Sequence, residues 1–174
     1  MISFGSNTSG IEWSGKTEEQ DFLISVTEIG YDFVKTTGLK MADGRDFSPA
    51  FGADTMACIL NETAVQRMGL KAPVLGSVIQ WDTAYTVVGV VKDFVFNNPE
   101  NTIEPMALFL TKEHFNSFFI QFENNGQWKD QLAKIESTSK KVFSEYPFEF
   151  RFVKDDYQAN FEGIRSTGKM TNAF

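Results

Sequence analysis

The sequence predicts an α+β fold built from short strands and few helices, and three observations carry that reading. Short apolar runs between residues 58 and 110 are bounded by Gly, Asn, Asp and Pro, the punctuation of strands rather than of long helices. Residues 118–153 read as strand, amphipathic helix, strand. The composition, 174 residues with 42% hydrophobic and 22% charged, is that of a folded globular chain. Such a chain buries roughly 70% of its unfolded surface, enough for a sizeable core.

Residues 1–20, rich in Gly, Ser, Thr and Glu, read as an irregular or edge segment. Phe22 to Val26 is a strand. Tyr31 to Thr37 is a short helix stopped by Gly38, which enters the left-handed region without a Cβ clash. Leu39 to Ala42 is a brief strand closed by the Asp43-Gly44 turn signal. Cys58 to Asn61 is a strand whose last residue can cap a helix over Glu62 to Met68, because its side-chain oxygen can accept from a free first-turn amide. Glu62 suits the positive end of that helix, and Gly69 marks its exit. Val78 to Trp81 and Tyr85 to Val91 form a hairpin across Asp82-Thr83-Ala84. Val87 to Val91 is apolar throughout, so it should be covered on both faces. Asn97 to Asn101 is a loop and Ala107 to Leu110 a further strand.

Phe118 to Phe122 then reads as a strand. Trp128, Leu132, Ile135, Val142, Phe143 and Tyr146 share one helical face, and Pro147 ends the helix. Phe148 to Val153 alternates with period two, as a half-buried strand does. The tail from Asp156 to Phe174 can be helical, with Tyr157, Phe161 and Ile164 on one face. Most of the 18 phenylalanines fall in these apolar runs and are read as core.

Composition excludes several classes of function. The net charge of −7 leaves no basic stripe for nucleic acid and none for anionic lipid. Cys58 is the only cysteine, so an internal disulfide and a cysteine metal cluster are both excluded. Its apolar neighbours mark it as a buried, inert thiol. No apolar run reaches the roughly 18 residues of a membrane span. The first residues lack a signal-peptide layout, so the chain taken alone reads as cytoplasmic; for an excised fragment that inference lapses.

The parts of a catalyst are missing. His114 is the only histidine, and its Lys-Glu-His-Phe-Asn setting reads as an exposed connection. Two acidic clusters, Asp43/Asp46 and Asp155/Asp156, could in principle form a hydrolytic pair. Asp43 sits in a glycine turn, however, and Asp155/Asp156 at a strand end, where aspartate caps backbone. Gly168-Lys169 is followed by Met170 where a phosphate loop requires Ser or Thr. We therefore expect no catalytic, metal or cofactor residue.

Four stretches carry a family resemblance. Tyr31 to Phe47 is similar to a Tyr-Phe, Gly-Leu, Gly-Arg-x-Phe signature. Ile59-Leu60-Asn61-Glu62-Thr63-Ala64 is similar to a Leu-Asn-Glu-x-Ala strand and helix. Leu75-Gly76-Ser77-Val78-Ile79 is similar to a Leu-Gly-Lys-x-Ile hairpin, with Ser77 in place of the basic residue. Tyr85 to Phe94 is similar to a strand ending Val-Lys-Asp-Phe. All four, in this order, resemble the MacB-like periplasmic core domain of MacB/FtsX-type ABC transporter permeases. Gly168 to Phe174 resembles the lead-in to such a permease's next membrane helix. Family domains begin earlier, with a strand–helix–strand that this chain lacks.

The resemblance implies a porter-like portion (residues 1–50 plus 111–174) split by an inserted, mostly β lobe (51–110). It implies a domain on the periplasmic side of the inner membrane, in a dimeric multi-pass parent driven by a cytoplasmic ATPase, with a periplasmic partner protein as a further expectation. The function it implies is transmission of ATP-driven helix movement to a substrate outside the membrane. The glycines would serve turns and close packing, and Arg45 would anchor its turn by bonding carbonyls or a carboxylate. The alternative reading is a ligand- or peptide-binding sensor, whose acidic surface would suit cationic ligands.

Overall fold

The computed structural model describes residues 6–95, 103–112, 117–123 and 126–155. It separates into two compact units, Ser3–Phe119 and Ile120–Phe174 with the first two residues.

The larger unit is one eight-stranded sheet. Its strands are β1 (Ser6–Thr8), β2 (Glu12–Trp13), β3 (Ile24–Ile29), β4 (Met41–Gly44), β5 (Ala57–Asn61), β6 (Val78–Gln80), β7 (Ala84–Val91) and β8 (Met106–Leu110). They lie in the order β1-β3-β8-β5-β7-β6-β2, with β4 also on β7. The pairs β3–β8 and β5–β7 are parallel; the others are antiparallel.

That order forces curvature. Seven adjacent strands laid flat span roughly 29 Å at about 4.8 Å per gap. Yet β1 and β2, at opposite ends of the order, are separated in sequence only by residues 9–11. That link reaches about 14 Å at most, so the sheet must curl until its edges approach. Ile11 lies in the link and is fully buried, among Trp13, Val26, Leu60 and Phe109.

Every residue of β5 and β8 is buried, as expected of central strands covered on both faces. Cys58, Leu60, Ala107 and Phe109 face one cluster, joined by Ala64 and Met68 of helix α2 (Glu62–Met68). Ile59, Met106, Leu108 and Leu110 face the other, joined by Phe47 and by Val34 of helix α1 (Phe33–Thr37). The indole Nε1 of Trp13 donates to the Met68 carbonyl at 2.9 Å, satisfying one of the last acceptors of α2.

The smaller unit holds helix α3 (Trp128–Val142). Trp128 meets Phe152 edge-on at 5.3 Å, and Phe148, Phe150 and Phe152 touch in succession. The three rings are neighbours on one side of the segment, yet Phe150 is exposed, so the buried face that the alternation predicts is not formed.

The fold class is α+β, but two expectations are corrected. Phe118–Phe122 and Phe148–Val153 form no strand among the described residues. Alternation decides which side of a segment is apolar; a strand also needs a neighbour whose N–H and C=O groups it can pair with. Asp43-Gly44 ends β4 rather than closing it as a free turn, because Gly44 pairs with Gly89. The sheet joins residues on either side of position 50, since β3 pairs with β8 and β4 with β7. The helical reading of residues 156–174 lies outside the described residues.

Candidate functional site

Three of the four resemblance motifs meet around β4, α2 and β7 in two hydrogen-bonded clips, with Leu75 of the other lying beside Gly44. The first clip is the turn after β4. Gly44 has φ +68, and a Cβ there would strike the Val88 carbonyl oxygen and sit 2.7 Å from Leu75 Cδ2. Opposite it, a Cβ on Gly89 would strike the Arg45 carbonyl oxygen and sit 2.6 Å from Met41 Cε. Only glycine lets the two backbones approach this closely. Arg45 N then donates to the Val88 carbonyl at 3.0 Å.

The Arg45 guanidinium reaches Asp54, in the 3-10 turn Gly52–Met56, through two bonds of 2.8 and 2.6 Å. Such a fork-to-carboxylate pair fixes direction as well as distance. Arg45 Nη1 also donates to the Asp46 carbonyl at 3.1 Å, and Ser48 N donates to Asp54 at 2.9 Å. The Phe51 ring lies 3.7 Å from the guanidinium carbon. Arg45 therefore anchors the turn through both a carbonyl and a carboxylate. The bond from Arg45 holds the Asp54 carboxyl below the ordinary carboxylate value despite its burial, and the same bond raises Arg45. Burial pushes Asp46 upward, against the bond it accepts from Phe47 N.

The second clip surrounds the start of α2. Asn61, fully buried, accepts from Ala64 N at 2.9 Å and Met106 N at 2.8 Å, and donates to the Glu104 carbonyl at 2.9 Å. Asp93, just past β7, accepts from Thr63 N at 2.9 Å and Thr63 Oγ1 at 2.8 Å. Glu62 returns the contact by accepting from Asp93 N at 3.1 Å. Two motifs thirty residues apart thus satisfy each other's orphan groups.

The catalytic candidates have structural work or lie elsewhere. Asp43 accepts from Gly44 N at 2.7 Å and Asp46 from Phe47 N at 2.7 Å. Asp155 sits in a helical turn, not at a strand end. His114, Asp156 and Gly168-Lys169 lie outside the described residues. Cys58 is buried, and burial raises its thiol pKa far above the usual range. Among the described residues no three His, Cys, Asp or Glu side chains are grouped to hold a metal. The sequence reading missed Asp54, Thr63 and Asp93 as partners. For Asp93 and Thr63 the signal was available, since both sit inside matched motifs.

Between β4 and α2 lies an open cleft of about 400 Å³. Val65, Leu70, Val74 and Val90 supply its apolar lining, with Asp43, Glu62 and Gln66 among the polar side chains.

The curled mixed sheet and the clipped motifs define a family, and the sequence matches that family over residues 3–137: the chain belongs to the MacB-like periplasmic core domains. Its fold is similar to the periplasmic region of MacB from Actinobacillus actinomycetemcomitans, at TM-score 0.55 and 14% identity, over 79% of this chain and 64% of that one. It is also similar to the extracellular domain of the noncanonic ABC-type transporter YknZ from Gram-positive bacteria, at TM-score 0.54 and 17% identity, over 79% of this chain and 75% of that one. The chain thus spans less than two thirds of the MacB region. No curated protein matches it significantly. No described helix is long and apolar enough to cross a membrane.

Proposed function

We propose that the chain is the extracytoplasmic part of an ABC transporter permease. It is not itself an enzyme: it passes movement of the membrane helices, driven by a cytoplasmic ATPase, to a substrate or periplasmic partner outside the membrane. The parent is a dimeric multi-pass protein.

The observation that carries this reading is the pair of clips. In them the polar side chains of the family motifs are held within the domain, Arg45 on Asp54, Asn61 on Ala64, Met106 and Glu104, and Asp93 on Thr63. A body that transmits displacement must not absorb it, and close-packed, hydrogen-bonded elements move together. Hydrogen bonds from α2 to Asp93 and from Asn61 to the chain around β8 tie the helix to both flanks of β5.

The test is coupling in the parent permease reconstituted with its ATPase. Asp54→Asn keeps the shape of the first clip but removes its charge. The proposal expects transport per ATP to fall while hydrolysis continues. Unchanged transport per ATP with a demonstrably loosened domain would reject it.

A further inference from the structure

We draw no further inference here: the strongest candidate, the apolar face that helix α3 and the segment after it expose at Trp128, Val142, Phe143, Tyr146 and Phe150, carries nothing, because nothing in the structure shows what covers it.

Discussion

Asn61 is the residue on which the second clip depends, and replacing it by alanine gives the sharpest stability test. The substitution removes one acceptor serving two buried amides, Ala64 N and Met106 N, and one donor to Glu104. Asn61 is fully buried, so water cannot simply take its place. An unsatisfied buried group costs about 1–3 kcal/mol. With two buried amides orphaned, the loss should be about 3–5 kcal/mol. At about 2–4 °C per kcal/mol for a chain of this size, the melting temperature should fall by roughly 10 °C. Urea unfolding followed by circular dichroism measures the loss directly, and the slope against urea should be unchanged if only the folded state is affected. A loss under about 1 kcal/mol would refute the claim that this side chain joins strand, helix and neighbouring strand.

Gly89→Ala should destabilise by about 1–3 kcal/mol or more, because the added methyl meets the Arg45 backbone. Gly38→Ala has open space and only its φ of +76 to contend with, so about 1 kcal/mol is expected; thermal melts of both variants should preserve that order. Asp54 has a lowered carboxyl pKa, so its stabilisation is present above the unfolded value and lost as pH falls through the folded one. The stability gap between wild type and Asp54→Asn should therefore be full at pH 7 and narrow below about pH 4 in denaturant titrations. Asp46 has the opposite sign: its raised pKa means the buried charge opposes folding at pH 7, so Asp46→Asn should be no less stable there. Cys58 should react with a thiol reagent only at the rate of unfolding, because its sulfur is buried and held protonated.

Local chemistry was legible wherever a signal and its consequence lie within a few residues. Asn61 caps α2, Gly38 and Gly69 both take the left-handed stop, and the β6–β7 hairpin turns at residues 81–83. Buried runs at β5 and β8 were legible because full burial leaves no polar alternation. Long-range closure was not. Nothing in Ser6–Trp13 announces that β1 and β2 lie at opposite ends of the sheet order, because that depends on which strands lie between them. Arg45 was read as an anchor, yet Asp54 was not foreseen as its partner, since many carboxylates compete and only the 3-10 turn brings this one inward. The segments around α3 failed as strands because apolar alternation says nothing about whether a ladder partner exists.

If the domain transmits movement as proposed, its eight-stranded sheet must move without deforming while the transporter cycles. Spin labels at exposed Glu28 and Lys71, with buried Cys58 left in place, allow distances to be measured in the reconstituted parent with and without ATP. The spacing between these two labels should stay constant while the distance from either one to a label in a membrane helix changes. A nucleotide-dependent change in the Glu28–Lys71 spacing itself would mean that the domain yields internally, and would contradict the proposed transmitter role.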